Sequence, residues 1–342
     1  MNPSGDPAGL ETERQQQVRD NFFSLTPDAV LAAVEAAGHV TTGLCYALNS
    51  LENRVYEVEC EEAGRLIVKF YRPGRWSRPT IEDEHRLLAA LQEAEIPVCA
   101  PQPLPGGHTL GSTAEGIYFA VFPKTGGRSP DELRGDDFVQ LGRLLGRIHN
   151  VTASLGLKQR PHISPHTYGR RALESLLAQE VLPDSVRAQY CDAVDTLVGL
   201  GEPLFARSEQ ILVHGDCHRA NLLHGRAGWF FLDFDDAGVS APVQDVWLLL
   251  PARIADCPAE LEAFLDGYEQ FRAFDRASLA LVEVLRGLRY IRYADWIARR
   301  WDDPAFPRAF PGWGSERYWQ DQLNDLYEQI AQLRMREQQA WP

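Results

Sequence analysis

Residues 211–221 read ILVHGDCHRAN, and the apolar run WFFL at 229–232 leads into Asp233, twelve residues after Asn221. His-x-Asp, an Asn five residues after that Asp, and a later Asp at a strand end form the pattern of kinase catalytic and metal-binding loops. Phosphoryl transfer requires a carboxylate that orients and deprotonates the attacking hydroxyl, and in this pattern that residue is Asp216. It also requires hard oxygen ligands for Mg²⁺, which Asn221 and Asp233 supply, so Asp233 belongs to both the catalytic and the metal-binding set. The segment predicts a phosphotransferase that uses ATP and Mg²⁺.

Two other interpretations also fit this segment. Asp216 and Asn221 could each be a turn residue that caps a loop, although their joint spacing favours the catalytic interpretation. The run His214-x-Asp216-x-His218 could also belong to a two-metal phosphoesterase. Such sites recruit further His and Asp residues from other strand ends, and the remaining histidines occupy no comparable positions.

A lysine and a glutamate in the first third of the chain indicate a nucleotide site. Lys69 lies in the apolar strand pattern LIVKF at 66–70, where a single lysine could also be a solvated edge residue. Glu84, however, lies on an apolar helical stripe formed by Ile81, Leu87, Leu88 and Leu91. Because an unpaired buried carboxylate is costly, we expect Glu84 to pair with Lys69, as kinases do to hold the α- and β-phosphates.

The loop between the first two predicted strands, residues 48–56, occupies the place of a phosphate-covering loop but contains no glycine. It could be a plain hairpin turn rich in Asn and Ser. Its position before Lys69 favours a phosphate lid, with Ser50 as a candidate nucleotide contact.

Composition limits the remaining functional classes. The chain has 342 residues and a formal net charge of −14, which makes nucleic acid or an anionic membrane surface an unexpected partner. Its six cysteines form no Cys-x-x-Cys pair, so neither a zinc site nor a disulfide framework is expected. Without a signal-peptide pattern or a long apolar run, the sequence predicts a cytoplasmic protein.

The order of elements predicts an α+β, two-lobed, protein-kinase-like fold. We expect a disordered tail at 1–22, a β-rich N-lobe at 23–122, a hinge at 123–127 and a mainly helical C-lobe at 128–342. Local signals support this order: Thr26-Pro27 starts a helix, strands at 55–60 and 65–71 flank a polar turn, and a helix covers 79–93. Gly116 leads into a strand at 117–122, and Ser315 caps a late amphipathic helix.

Three further features have structural interpretations as well as functional ones. Asp245 begins an apolar helix, where the helix dipole favours a carboxylate, and in kinase folds an acid here can also brace the catalytic-loop backbone. His149 ends an amphipathic helix and is expected to be structural. A solvated basic face, with some members able to contact substrate, is expected of five arginines: Arg286, Arg289, Arg292, Arg299 and Arg300.

The chain resembles the bacterial stress response kinase A family, a branch of the aminoglycoside-phosphotransferase-like kinases. The resemblance runs through residues 48–58, 67–77, 116–123, 141–149, 214–223, 232–237 and 242–250, and through the run ADWIARRWDDPAFP at 294–307. It implies a monomeric, cytoplasmic serine/threonine protein kinase of envelope and oxidative stress. By position it makes Asp216 the proton acceptor and Asn221 and Asp233 the magnesium ligands, and it places Ser50 beside ATP.

The acceptor stays open at this point. His218 stands where eukaryotic serine/threonine kinases usually have a lysine, and no activation loop is recognisable before residue 242. A protein kinase that also autophosphorylates, a small-molecule kinase of the aminoglycoside, choline or homoserine type, and a nucleotide-binding pseudokinase scaffold are the three hypotheses. The pseudokinase is disfavoured because Lys69, Glu84, Asp216, Asn221 and Asp233 are all present.

Overall fold

The computed structural model describes residues 7–226 and 228–339, which form two compact units. The first unit contains the described residues up to Ser129 together with Gly156–Gln159 and Leu223–Asp235. The second contains Pro130–Leu155, Arg160–Leu222 and the described residues from Asp236 onward. A small antiparallel-sheet unit and a larger helical unit confirm the predicted α+β kinase-like class.

Neither unit is one continuous segment of the chain. Within the first unit, Val98 pairs with Phe231 and Arg128 pairs with His224 in short backbone bridges. These bridges explain why 223–235, predicted as part of a C-lobe covering 128–342, belong to the first unit instead. The hinge role of 123–127 stays a prediction.

The sheet of the first unit places Lys69 on its central strand. All five strands are antiparallel, in the order β1-β2-β3-β5-β4. Their bounds are β1 Thr41–Leu48, β2 Arg54–Cys60, β3 Gly64–Phe70, β4 Gly111–Ser112 and β5 Tyr118–Pro123. In this register Lys69 lies opposite Val55 on one side and Ala120 on the other. The predicted strands near 55–60, 65–71 and 117–122 are confirmed, with ends that differ by one residue.

Three helices accompany this sheet: α1 Pro7–Phe23, α2 Pro27–Ala36 and α3 Arg78–Glu93. Thr26 is the N-cap of α2, as predicted, and its hydroxyl accepts a hydrogen bond from the amide of Ala29. Ser77 caps α3 in the same way through the amide of Thr80. The core between helices and sheet is apolar and includes Val34, Val68 and Val121.

The predicted disordered tail at 1–22 is wrong for the residues that the structure describes, because α1 begins at Pro7. Residues 1–6 lie outside the described residues. Phe22 is fully buried in the core of the first unit, and Val18 and Phe23 pack against that core. The guanidinium groups of Arg54 and Arg72 also lie 4.9 and 5.2 Å from the centre of the Phe22 ring. A few apolar residues near the end of the segment therefore dock a helix whose remaining sequence is polar.

Eight α-helices of the second unit have the bounds α4 Asp136–Ser154, α5 Arg171–Ala178, α6 Asp184–Arg207, α7 Val243–Trp247, α8 Pro258–Tyr268, α9 Val282–Ala298, α10 Ala305–Ala309 and α11 Glu316–Gln339. The predicted late helix is α11, and the Ser315 hydroxyl accepts a hydrogen bond from the Tyr318 amide at its start. Helices α4 and α8 approach closely, since a Cβ on Gly142 would overlap the carbonyl oxygen of Phe264. This close packing places His149 of α4 next to Tyr268 of α8.

Two short strand pairs flank the segment that the sequence singled out. Strand β6 Ile211–Val213 pairs antiparallel with β9 Gly238–Ser240, and β7 Leu222–Gly225 pairs with β8 Gly228–Phe231. The catalytic-loop motif lies between β6 and β7, and Asp233 follows β8. None of the described helices is long and apolar enough to cross a membrane.

Candidate active site

Lys69 and Glu84 form the buried ion pair that the sequence predicts. The Lys69 Nζ lies 3.3 Å from Glu84 Oε1, and both side chains are almost fully buried. The pair joins the central strand β3 to helix α3. The apolar stripe on α3 thus buries the glutamate, and the strand supplies its cation.

Two aspartates complete the surroundings of Lys69. Its Nζ lies 3.2 Å from Asp233 Oδ1 and 3.4 Å from Asp235 Oδ1, both at the end of the segment after β8. Burial by itself lowers the pKa of Lys69, but the charges of Asp235, Glu84 and Asp233 outweigh it and hold the pKa well above its usual range. Lys69 therefore carries a positive charge among three carboxylates. We call Lys69, Glu84, Asp233 and Asp235 the Lys69 cluster.

Asp233 fits the role of a metal ligand. Its side chain is 53% exposed, whereas that of Asp235 is 2% exposed, so Asp233 is the carboxylate of this pair that a solvated ion can reach. Its backbone has φ +59°, a left-handed conformation that is uncommon for residues other than glycine and less so for aspartate. A carboxylate oxygen is a hard donor of the kind that Mg²⁺ prefers.

The loop between β1 and β2 is fixed by polar contacts in place of glycines. Arg72 donates to the carbonyl oxygens of Glu52 and Leu51 at 2.9 Å each, and the Asn53 side chain donates to Asp235 Oδ2 at 3.1 Å. Arg75 binds the same Asp235 oxygen. Ser50 lies partly buried in this loop, and its contact with a nucleotide stays a prediction.

Within the second unit, Asp245 braces the catalytic loop, as one of the two interpretations of this residue proposed. Its carboxylate oxygens accept hydrogen bonds from the backbone amides of His214, at 2.6 Å, and Gly215, at 2.9 Å. His149 Nε2 lies 3.0 Å from the same carboxylate, and His149 Nδ1 lies 2.8 Å from the Tyr268 hydroxyl. His149 is therefore structural, as predicted: it links helices α4 and α8 to the residue that shapes the loop.

Gly215 has a conformational reason to be glycine. It has φ +85°, and a Cβ there would overlap the carbonyl oxygen of Asp236. The side-chain amide of Gln244 also donates to the Gly215 carbonyl at 2.8 Å. Hydrogen bonds thus fix both the amide and the carbonyl group of Gly215, the residue immediately before Asp216.

Asp216 is the centre of a second group of charges. Arg289 Nη1, on helix α9, lies 2.7 Å from Asp216 Oδ1, and His218 Nε2 lies 3.3 Å from Asp216 Oδ2. Burial raises the pKa of Asp216, but the hydrogen bond from His218 and the charge of Arg289 outweigh it and hold the pKa below its usual range. The carboxylate of Asp216 therefore stays ionised. We call Asp216, His218 and Arg289 the Asp216 cluster.

Asn221 lies at the end of the same loop. Its side-chain nitrogen donates to the Asp216 carbonyl oxygen at 2.9 Å, so the amide oxygen is the atom that could bind a metal ion. In the part of the chain that the structure describes, no three His, Cys, Asp or Glu side chains cluster as a metal site. A kinase site does not need such a cluster, because Mg²⁺ takes one or two protein oxygens and completes its shell with phosphates and water.

The solvated basic face expected of the five arginines between residues 286 and 300 is wrong in most of its members. Arg289 reaches Asp216, Arg286 lies over the Trp247 ring at 4.8 Å, and Arg300 is only 5% exposed. Arg292 and Arg299 both bind the buried Asp295 at 2.8 Å. Aromatic and acidic neighbours in the folded chain attract these side chains, and no local sequence pattern reveals those neighbours.

Sequence reasoning missed three residues of the site, Asn53, Arg75 and Asp235, and it named Arg289 only as a member of a basic face, without its contact to Asp216. Asp235 had an available signal, because an acid two residues after a predicted metal ligand lies next to the same cation. Asn53 and Asp235 are 182 residues apart, and Arg289 and Asp216 are 73 apart, so neither contact leaves a local pattern.

Comparison with known proteins identifies the family of the chain. Residues 47–282 match the phosphotransferase enzyme family. The chain is 38% identical to stress response kinase A of Escherichia coli K12 over 91% of its own length and 94% of the relative. It is 36% identical to the serine/threonine protein kinase RdoA of Salmonella typhimurium, over 92% and 97%.

Among solved structures, amicoumacin kinase in complex with AMP-PNP, Ca²⁺ and Ami matches with a TM-score of 0.69 and 21% identity. The match covers 89% of this chain and 93% of that one, and it shows a shared fold. The chain therefore belongs to the phosphotransferase enzyme family and, within it, to the stress response kinase A family.

Proposed function

We propose that the protein is an ATP- and Mg²⁺-dependent serine/threonine protein kinase of the stress response. Kinase activity follows from the family, and the protein acceptor is supported by the relative named serine/threonine protein kinase RdoA. The observation that carries the chemical mechanism is the braced loop: Asp245 fixes two successive backbone amides directly before Asp216. That bracing supplies the positioning on which phosphoryl transfer depends.

Each predicted residue has a role in this proposal. Lys69, held by Glu84, binds the α- and β-phosphates, and Ser50 contacts the nucleotide from the β1–β2 loop. Asn221 and Asp233 would supply oxygen ligands to Mg²⁺, and the ion would neutralise negative charge on the nucleotide phosphates. Asp216 orients the acceptor hydroxyl and accepts its proton as the γ-phosphorus is transferred.

A small-molecule kinase is the second candidate function. It is favoured by the phosphotransferase family match and by the fold shared with amicoumacin kinase. Both candidates use the same catalytic residues and differ in the acceptor that lies beside Asp216.

A labelling experiment separates the candidates. The purified protein is incubated with γ-labelled ATP and a lysate of cells that lack it, and the products are divided into protein and small-molecule fractions before phosphosites are mapped. The proposal predicts label on Ser and Thr residues of proteins, including the kinase itself. Label confined to small metabolites would contradict the protein kinase, and the absence of label in every fraction would favour a pseudokinase scaffold.

A further inference from the structure

Both oxygens of the proposed base already contact a nitrogen donor. Arg289 Nη1 lies 2.7 Å from Oδ1 of Asp216, and His218 Nε2 lies 3.3 Å from Oδ2. A carboxylate oxygen can accept more than one hydrogen bond, so these contacts do not prevent an acceptor hydroxyl from binding. A guanidinium at this distance nevertheless favours the ionised carboxylate and makes it a weaker proton acceptor. Proton transfer to Asp216 therefore becomes easier when Arg289 moves away.

Arg289 differs from neighbouring arginines of α9 in what holds it. Arg286 lies over the Trp247 ring and beside the buried Glu283. Arg292 binds the buried Asp295 and lies over the Tyr168 ring at 5.5 Å. The partner of Arg289 is the proposed base itself, and its side chain is 37% exposed. It is therefore a cation beside the reacting group that can exchange one anion for another.

The surroundings of Asp216 favour an anion as the exchanging group. Burial and the charges of Asp236 and Asp216 raise the pKa of Tyr168, and the positive charges of Arg292 and Arg289 oppose that rise, so both guanidinium groups lie near this ring. A cationic group brought to the acceptor hydroxyl would be repelled by Arg289, whereas a carboxylate or phosphate would match its planar set of N–H donors.

We propose that Arg289 is a specificity-determining residue that binds an anionic group adjacent to the acceptor hydroxyl and thereby uncovers Asp216. The inference rests on the proposed function, because it assigns the acceptor class of that same site. The acceptor is a hydroxyl compound with a neighbouring carboxylate or phosphate, either an acidic Ser- or Thr-containing protein segment or a small anionic alcohol.

Phosphoryl transfer at this site breaks two bonds and forms two. The acceptor O–H bond breaks and its proton passes to Asp216, while the acceptor oxygen forms a bond to the γ-phosphorus. The bond between the γ-phosphorus and the β,γ-bridging oxygen breaks, and ADP leaves with that oxygen. Arg289 takes no part in bond making and stays paired with the anion of the acceptor during the step.

Two matched acceptor sets test the inference and distinguish its two sources. One set consists of peptides of equal length in which a single Ser is flanked by Glu, by Gln or by Lys. The other consists of glycerate, glycerol and ethanolamine, which carry a negative, no and a positive charge next to a hydroxyl. In the set that the enzyme phosphorylates, we expect kcat/KM to be roughly 10- to 100-fold higher for the anionic member than for the neutral one. This range corresponds to one charge-assisted hydrogen bond.

Variants connect this preference to Arg289. Arg289→Met should lower kcat/KM for the anionic acceptor by about the same factor and raise it for the neutral one, so that the preference disappears. Arg289→Lys keeps the charge without the planar donors and should retain part of the preference. Arg317→Met removes the same charge from a side chain that is 92% exposed and should leave the preference unchanged.

The possible outcomes are distinct. A wild-type preference for neutral or cationic acceptors, or a preference that survives in Arg289→Met, would overturn the inference and leave the kinase intact. ATP hydrolysis without transfer to either anionic acceptor would also overturn it. If neither ATP hydrolysis nor transfer occurs, the proposed function fails and the inference fails with it.

Discussion

The Lys69 cluster and the Asp216 cluster are both groups of opposite charges, but they differ in burial. Side-chain exposure is 10% for Lys69 and 2% for Glu84, against 25% for Asp216 and 37% for Arg289. In the buried cluster one cation is shared by three carboxylates, so removing it leaves charges that water cannot solvate. In the partly exposed Asp216 cluster, either Asp216 or Arg289 can turn to solvent or to a ligand. Burial thus separates a cluster that contributes to folding from one that can exchange partners during a reaction.

The largest expected effect on stability comes from the buried cluster. Lys69→Met should lower the free energy of unfolding by about 3 kcal/mol, because Glu84 and Asp235 lose a buried counter-charge. It should also weaken nucleotide binding, since the phosphates lose their cation. Urea unfolding and calorimetric titration with a nonhydrolysable ATP analogue measure the two effects.

A matched lysine serves as the control. Lys124 forms a 2.8 Å ion pair with Glu57, but its side chain is 40% exposed, so Lys124→Met should cost less than about 1 kcal/mol. Equal losses in the two variants would mean that burial does not set the difference between the clusters.

An intermediate effect is expected from Asp245→Asn. In the wild type, two backbone amides donate hydrogen bonds to the Asp245 carboxylate. The asparagine NH₂ group cannot accept a hydrogen bond, so one buried hydrogen bond to a charged acceptor is lost. We expect a loss of about 2 kcal/mol in unfolding free energy and a fall in kcat that exceeds the change in nucleotide KM. Asp266→Asn, on the exposed side of α8, is the control. A variant with full kcat would show that the brace is not needed for catalysis.

The smallest effect is expected from Arg289→Met, and it depends on pH. The partly exposed pair with Asp216 should contribute about 0.5 kcal/mol to the free energy of unfolding at neutral pH. Arg289 and His218 lower the folded-state pKa of Asp216, so this contribution is complete above the unfolded-state pKa of about 3.9. It is lost as the pH falls through the lower folded-state pKa.

Urea unfolding of wild type and Arg289→Met at a series of pH values from about 7 down to about 2 measures this difference. The gap between the two free energies of unfolding should stay constant until the pH approaches the folded-state pKa of Asp216 and narrow only as the pH falls through it. A gap that widens on acidification would have the wrong sign for a carboxylate whose pKa is lowered by folding.

The two clusters also differ in how far the sequence predicts them. The Lys69–Glu84 pair was predictable because a carboxylate on an apolar helical stripe needs a buried partner. The bracing role of Asp245 followed from its position after the metal loop. The contact between Arg289 and Asp216 was not predictable, since an exposed arginine has many favourable environments and only the packing of α9 selects one.

The fold shows the same division between local and long-range information. The start of α2 at Thr26 and of α11 after Ser315 follow from capping residues, which act within one turn. The helix at Pro7–Phe23 was missed because one buried residue near its end, Phe22, outweighs a polar sequence with no helical stripe. The assignment of 223–235 to the first unit depends on backbone bridges to distant residues.

Asp216→Ala is the sharpest test of Asp216 as the base of a phosphotransferase. The measurement is the single-turnover rate of γ-phosphate transfer to the acceptor fraction at saturating ATP and Mg²⁺, with the nucleotide Kd determined on the same preparation. Asp184→Ala, in which a 94% exposed aspartate is removed, is the control. The assignment of Asp216 as the base predicts a rate lower by roughly 10² to 10⁴-fold with an unchanged Kd. A variant that transfers phosphate at the wild-type rate would contradict it.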